Sequence, residues 1–217
     1  MPAPNGATRP LGNAGVRSAC VDGCSASAAP ETMTGVPPPA AAELLNALQR
    51  AKGTVTEFLE HLAGEPIDAD ILSQNTGPAG SDNLLQLESE AELVRRTVLL
   101  TGRISGRRFV YAESEIAVER LPASARRRLE SSRDPIGRVL TKHHLEVRRE
   151  PLAGPVVATG NTPRIIDLLD RAALSRRYRI TLGSGPAIVV SEWFLQTVPA
   201  LASRTPSLVD PNDSSSL

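Results

Sequence analysis

Hydrophobic residues recur along the central part of the chain with two spacings, one typical of helices and one typical of strands. Residues 54–57 have the Thr-x-x-Glu form of a capping box, a common start of a helix. Apolar residues then repeat at the helical positions i, i+3, i+4 and i+7, namely Val55, Phe58, Leu59 and Leu62. Gly64 follows, and glycine commonly ends a helix. The sequence therefore predicts a short amphipathic helix between Thr54 and Gly64.

Alternation of apolar and polar residues predicts strands elsewhere, because successive strand side chains point to opposite faces. Strands are predicted at Ile67–Leu72, Leu93–Leu100, Arg108–Val118, Leu145–Leu152, Arg177–Leu182 and Ala187–Phe194. A loop is predicted at residues 77–80. Further helices are predicted at Ala40–Arg50, from Leu121, from Asp134 as N-cap with Pro135 at the first helical position, and from Thr162. This order predicts an α+β fold, with an antiparallel sheet and flanking helices.

The two ends of the chain differ in composition from its centre. Residues 1–40 are dominated by Pro, Ala, Gly and Ser and end in three prolines, Pro37–Pro39. Such a segment cannot bury enough apolar surface to fold, so we expect a disordered tail. Residues 201–217, which end in Asp-Ser-Ser-Ser-Leu, predict a second tail. We expect one folded domain over residues 41–200.

Composition narrows the classes of partner and compartment. The 24 Lys and Arg residues balance 24 Asp and Glu residues, so net charge gives no case for nucleic acid or a membrane surface as a partner. No apolar run approaches the ~20 residues of a transmembrane helix. Cys20 and Cys24 lie in the N-terminal tail without a second Cys/His pair, which indicates neither a zinc site nor a disulfide framework. This pattern fits a reducing cytoplasm.

Two of the predicted strands each carry one charge on a face that is otherwise apolar. Glu192 shares its face with Ile188, Val190 and Phe194. Arg96 shares its face with Val98 and Leu100, whereas the adjoining Arg95 lies on the other face. A charged group is costly to bury unless it is paired. One interpretation, and the more ordinary one, is a buried salt bridge or a partly wet face. The other is a small dry pocket that holds an anion at Arg96 and a hydroxyl at Glu192.

At these residues the chain resembles the chorismate pyruvate-lyases, also called 4-hydroxybenzoate synthases. The resemblance covers roughly Gly53 to Pro199 and is carried by four stretches: Gly53–Glu60, Arg95–Leu100, Asp134–Leu140 and Arg177–Phe194. Each stretch is modest alone, and their order and spacing make the match. The resemblance implies an antiparallel sheet with helices that enclose a buried ligand pocket beneath flaps.

The family's chemistry removes pyruvate from chorismate and leaves 4-hydroxybenzoate, with no metal, redox cofactor or covalent nucleophile. By resemblance, Arg96 anchors the ring carboxylate and Glu192 binds the 4-hydroxyl group. Val55, Ile136 and the adjoining Gly137 match positions that help to bind the substrate. The segment 154–161 is longer than in the shorter members of the family, so the resemblance does not fix the geometry of the flap.

Two other hypotheses stay open at this stage. The same fold, by resemblance, serves as the effector domain of some bacterial winged-helix regulators, which would make the chain a non-catalytic binding module. Residues 1–40 have too few periodic apolar positions for a winged helix, which counts against that hypothesis. A related enzyme could also act on another chorismate-derived enol ether or give another hydroxybenzoate isomer. Oligomeric state and downstream pathway are not predicted.

Overall fold

The computed structural model describes residues 39–50, 53–160 and 162–202. The helices are α1 (Pro39–Arg50), α2 (Val55–Ala63), α3 (Ala123–Ser131), α4 (Ile136–Lys142), α5 (Pro163–Asp170) and α6 (Thr197–Ala202), with a 3₁₀ turn at Val118–Arg120. The strands are β1 (Ile67–Pro78), β2 (Glu92–Gly102), β3 (Arg108–Ile116), β4 (Arg148–Pro151), β5 (Ala172–Leu182) and β6 (Gly185–Leu195). The predicted α+β class is confirmed. Most of both predicted tails, including Cys20 and Cys24, lies outside the described residues.

The six strands form a single sheet in the order β1-β2-β3-β6-β5-β4, and every neighbouring pair is antiparallel. Strands β3 and β6 therefore lie at the centre, and β1 and β4 form the two edges. Every residue of β6 from Ala187 to Leu195 is buried, so both faces of the sheet are covered. Strand β6 carries Glu192, and β2 carries Arg96.

Three strands differ from their predictions by more than two residues at one end, and the other three by no more than two. Strand β1 continues through the predicted loop to Pro78, with a bulge at Leu72 that resets the alternation. Proline is tolerated there because β1 is an edge strand and Pro78 is its last residue. Strand β5 begins at Ala172 rather than Arg177, after an irregular start that hides its alternation. Strand β4 includes only Arg148–Pro151 of the longer run predicted there.

The predicted start of α4 is wrong by one residue. Pro135 is the N-cap and Ile136 the first helical residue, and Asp134 makes no cap hydrogen bond. The Asp134 carboxylate instead accepts a 2.6 Å hydrogen bond from Arg128 and lies 3.6 Å from the Lys142 ammonium. Cations therefore compete successfully for this carboxylate. Helix α6 was not predicted, because Pro199 indicated a break; it lies in the first turn, where proline is tolerated.

Apolar packing on one face of the sheet falls into two separate groups. One group joins α1, α2 and α6 to the sheet through residues such as Leu44, Leu59 and Phe194. The other joins α3 and α4 to the sheet through residues such as Leu129 and Leu140. The inward charges of Arg96 and Glu192 lie on this same face, between the two groups. The gap between them is the place for a pocket.

The long segment before α5 packs on the opposite face of the sheet. Val156 and Ala158 contact a buried group that includes Tyr111 and Trp193. The carboxylate of Glu113, on the same face, accepts hydrogen bonds from the backbone N–H groups of Thr159 and Gly160 at 2.9–3.0 Å. The described residues of this segment up to Gly160 therefore lie on the face opposite to that of Arg96 and Glu192. Asn161 lies outside the described residues.

Candidate active site

One cavity lies between the sheet and the first residues of α2 and α4. It measures about 60 Å³, and its walls include Val55, Arg96, Ile136, Gly137 and Glu192. The structure thus brings together all five residues that were singled out from the sequence. Of the arginine doublet, Arg96 lines the cavity, as the alternation predicts, whereas Arg95 lies on the other face and pairs with Glu115 at 3.3 Å.

Small side chains make the floor of the cavity between the two charges. Arg96 lies opposite Ser114 in the β2–β3 register, and Glu192 lies opposite Ala112 in the β3–β6 register. Strand β3 alone therefore lies between the two charged residues, which are two strand spacings apart, ~9–10 Å, and are also offset by two residues along the strand direction. Because the side chains of Ala112 and Ser114 are short, they leave the cavity space over β3 empty.

Arg96 is buried with most of its donors unused. The residue is 2% exposed, and its Nη2 donates a 3.3 Å hydrogen bond to the backbone carbonyl of Asp134. Its Nε and Nη1 groups have no hydrogen-bond partner among the described residues. Burial lowers the pKa of Arg96, and the nearby Asp134 carboxylate opposes that shift. A guanidinium keeps its proton even so, which leaves a buried cation with N–H groups to offer an anion.

Glu192 is buried as deeply and is already paired. It is 4% exposed, and its Oε2 accepts a 2.8 Å hydrogen bond from Nε of Arg176, its cross-strand neighbour on β5. Its Oε1 accepts a 2.9 Å hydrogen bond from the Tyr178 hydroxyl. The interpretation of a buried salt bridge is thus correct for Glu192, but its partner is Arg176 and not Arg96.

Arg176 and Tyr178 are site residues that the sequence reasoning missed. The guanidinium of Arg176 lies 5.1 Å from the ring centre of Tyr178 and 5.4 Å from that of Phe194. Burial lowers the pKa of Arg176, but the charge of Glu192, the Tyr178 hydroxyl and the hydrogen bonds to both together outweigh it, so the net shift is upward. Burial and the Glu192 charge raise the pKa of Tyr178 well above its ordinary value, so the hydroxyl stays a donor. Extending the β5 alternation back from Tyr178 would have found Arg176 on the same face.

Two helix N-termini form the roof of the cavity. Thr54 caps α2 through the predicted capping box with Glu57, which is confirmed, and Val55 is the first helical residue. Ile136 holds the same position in α4. The first N–H groups of a helix have no acceptor within the helix, and the helix dipole favours negative charge there. Backbone donors and Arg96 therefore line the same cavity.

Gly137 allows the two helix starts to approach each other. A Cβ atom at this position would lie 2.7 Å from Cβ of Thr54, closer than side chains tolerate. Arg138, the next residue, pairs with Glu60 of α2 and donates to the backbone carbonyl of Ile67 at 3.2 Å. These contacts join α2, α4 and β1 into one roof.

Comparison with known proteins relates the chain to one family. The family model described as chorismate pyruvate-lyase Rv2949c-like matches residues 50–201. A protein named chorismate pyruvate-lyase from Mycobacterium tuberculosis strain H37Rv is 34% identical over 164 residues, which are 71% of this chain and 80% of that protein. The chain belongs to the Rv2949c-like chorismate pyruvate-lyase family. A relative of the same name from Mycobacterium leprae is 32% identical over 161 residues, with 71% and 75% of the two chains covered.

Solved structures are more distant from this family member. PhnF from Mycobacterium smegmatis superposes with a TM-score of 0.45 at 12% identity, over 69% of this chain and 66% of that chain. The effector domain of the same protein gives a TM-score of 0.44 at 12% identity, over 68% and 91%. Superpositions of this quality carry no argument about activity. Within the described residues, no helix is both long and apolar enough to cross a membrane.

A second, larger cavity adjoins the first in this family member. It measures about 300 Å³ and shares Thr54, Val55, Arg149 and Tyr178 with the first cavity. Its other walls include Phe58 of α2 and several residues of α1, β4 and β5. We call the first cavity the inner cavity and the second the outer cavity. Arg149 and Tyr178 line both.

Proposed function

We propose that this chain is an enzyme that removes pyruvate from chorismate and leaves 4-hydroxybenzoate. The observation that carries the proposal is the pair of buried charges in one cavity of a chorismate pyruvate-lyase family member. Arg96 has unused N–H groups, Glu192 is an oriented carboxylate, and only short side chains lie between them. The ring of the substrate lies over Ala112 and Ser114, with its carboxylate toward Arg96 and its hydroxyl toward Glu192.

The ring carboxylate compensates the charge of Arg96. Because Nε and Nη1 have no partner among the described residues, a carboxylate gains charge-assisted hydrogen bonds there without displacing protein contacts. Backbone N–H groups at the starts of α2 and α4, near Val55, Ile136 and Gly137, supply further donors on the same side of the cavity. Gly137 keeps these two helix starts close together.

Glu192 accepts a hydrogen bond from the 4-hydroxyl group. A carboxylate has about four acceptor positions, and Arg176 and Tyr178 occupy only one on each oxygen. The two partners fix the orientation of the carboxylate before substrate arrives, which is the preorganisation that catalysis exploits. Glu192 therefore positions the ring carbon that bears the hydroxyl group, next to the carbon whose ether bond breaks.

The reaction is an elimination in which atoms and electrons balance without a further reagent. The bond between the ring carbon and the ether oxygen breaks, and its electron pair leaves with the enolpyruvate. The adjacent ring carbon loses its proton, a step that Glu192 assists as a base, and the ring becomes aromatic. The enolpyruvate gains a proton and becomes pyruvate. The two products together contain the atoms of chorismate, so the reaction needs no oxidant or reductant.

The alternative of a non-catalytic effector module is not favoured, because the matching family is one of lyases. The experiment is to incubate the purified chain with chorismate in metal-free buffer and to quantify pyruvate and aromatic products by chromatography. We expect pyruvate and 4-hydroxybenzoate in equal amounts. A different hydroxybenzoate isomer would indicate the related enzyme. Binding of chorismate without turnover would overturn the proposal and restore the effector module.

A further inference from the structure

Arg149 lies at the junction of the cavities around the proposed site. It is a residue of the edge strand β4, opposite Ile180 of β5, so its side chain lies on the cavity face of the sheet. It lines the inner cavity with Arg96 and Glu192, and the outer cavity with Arg176 and Phe58. It also lines a third, more open cavity bounded by Leu140 and His144 of the α4 side.

The charge of Arg149 is not paired, unlike those of Arg148, Arg176 and Arg179. Arg148 and Arg179 lie on the opposite face, and both pair with Glu150. Arg176 pairs with Glu192. Arg149 has no ion pair or side-chain hydrogen bond to any other residue that the structure describes. It is solvent-exposed, yet its positive charge is among those that act on the Tyr178 hydroxyl.

The substrate class under the proposed function carries two carboxylates, and the roles of Arg96 and Glu192 account for one carboxylate and the hydroxyl. The second carboxylate belongs to the enolpyruvyl arm, which leaves the ring at the carbon adjacent to the hydroxyl-bearing one. The arm therefore extends from the Glu192 side of the ring. On that side Arg176 is neutralised by Glu192, and Arg177 lines the outer cavity but not the inner one. Among the residues that line the inner cavity, Arg149 is the cation besides Arg96 that can meet the arm.

We infer, on the basis of the proposed function, that Arg149 binds the enolpyruvyl carboxylate of chorismate. Its position at the junction of the inner and outer cavities suits this group, because the arm must leave as pyruvate while the ring stays behind. An exposed arginine gains a charge-assisted hydrogen bond with a carboxylate without a large desolvation cost. Arg149 thereby positions the bond that breaks and distinguishes the substrate from compounds that lack the arm.

The test compares Arg149→Gln with the matched control Arg148→Gln. Both substitutions remove one positive charge from β4, but Arg148 lies on the opposite face of the sheet. Two quantities are measured for each variant: kcat/KM with chorismate, and the Kd of 4-hydroxybenzoate, which has the ring carboxylate and the hydroxyl but no enolpyruvyl arm. A third variant, Arg149→Lys, restores the charge without the guanidinium fork.

We expect Arg149→Gln to lower kcat/KM by about tenfold or more, as for a lost charge-assisted hydrogen bond. The Kd of 4-hydroxybenzoate should stay within about twofold of that of the wild type, because only the absent arm contacts Arg149. Arg149→Lys should recover part of the loss, and Arg148→Gln should match the wild type.

Two results would overturn the inference. The first is a wild-type kcat/KM in Arg149→Gln. The second is an equal loss for chorismate and 4-hydroxybenzoate, which would show that Arg149 acts on the ring site or on folding. Failure of the proposed function itself looks different, because the wild-type chain would then give no pyruvate at all, before any variant is made.

Discussion

Arg96 and Glu192 lie on the same face of the same sheet and are buried to almost the same extent, at 2% and 4% exposure. They differ in how their charges are compensated. Glu192 has a cation and a hydroxyl within hydrogen-bond distance, whereas Arg96 has one backbone carbonyl and two donor groups without a partner in the described residues. The charge of Glu192 is thus compensated within the protein, whereas the charge of Arg96 is not compensated by any described residue.

The difference indicates which charge serves the ligand directly. Each buried donor without a partner costs about 1–3 kcal/mol, so Arg96 weakens the fold unless an anion binds. The paired Glu192 stabilises the arrangement of β5 and β6 even without ligand. In such a site, the substrate supplies the missing hydrogen-bond acceptors of Arg96, whereas protein contacts orient Glu192 before the substrate binds. The predictions below test that division.

The largest expected effect is that of Arg96→Met. Turnover of chorismate should fall by ~100-fold or more, because a positioned charged donor is lost. The midpoint of thermal unfolding should stay the same or rise, because methionine removes the unsatisfied N–H groups and keeps most of the volume. Activity assays and differential scanning calorimetry measure the two quantities. A strongly lowered midpoint would show that Arg96 is a structural residue.

Glu192→Gln should also lower turnover by ~100-fold, but its effect on stability should have the opposite sign. The substitution leaves the Arg176 guanidinium without a counter-charge, so we expect the free energy of unfolding to fall by about 1–3 kcal/mol. Urea unfolding followed by circular dichroism measures this loss, and the folded spectrum should be that of the wild type. Equal stability of the two proteins would contradict the structural role of the ion pair.

Arg176→Met should give a smaller loss of activity than either charge of the cavity. We expect turnover to fall by about tenfold, because Glu192 keeps the Tyr178 hydrogen bond but loses the partner that fixes its second oxygen. The double variant Arg176→Met, Glu192→Gln should be no less stable than Arg176→Met alone. Additive losses of stability in the double variant would show that the two side chains act independently.

The smallest effect should come from Tyr178→Phe, which removes one hydroxyl and leaves the ring beneath Arg176. Turnover should fall by only about two- to fivefold, in line with one neutral donor to a carboxylate that keeps its ion pair. The pKa of Tyr178 is raised far enough that its ionisation does not enter the pH profile below pH 10. The profile of the variant should therefore have the same shape as that of the wild type, and a changed shape would assign the hydroxyl a proton-transfer role.

Local sequence patterns predicted the positions of Arg96 and Glu192 but not their partners. Alternation in β2 and β6 is regular, so a charge on an apolar face stands out. Strand β5 begins with an irregular pairing at Ala172 and carries several polar residues before Tyr178, so only its second half, from Arg177, was predicted as a strand. Arg176 was therefore missed, and the ion pair was assigned to no specific partner.

Tertiary contacts account for the other differences. Asp134 has the composition of an N-cap, but three cations lie near its carboxylate in the folded chain, at 2.6–3.9 Å, and only one of them is close in sequence to the predicted cap position. The packing of the segment before α5 on the far face involves Glu113, which is 46 and 47 residues earlier in the chain than Thr159 and Gly160. Neither contact is visible in a local pattern.

The short edge strand β4, which carries Arg149 at the cavity, is paired less extensively than the strands that carry Arg96 and Glu192. It pairs over only four residues and on one side only, whereas β3 and β6 are paired on both sides. Its far end continues into the segment that Glu113 holds against the opposite face. Strands with few hydrogen bonds open locally at low free energy, so we expect backbone amides of β4 to exchange with solvent faster than those of the central strands. Arg96 and Glu192 lie instead on β2 and β6, each of which is paired on both sides, so local opening of β4 leaves the strands that hold the two charges paired.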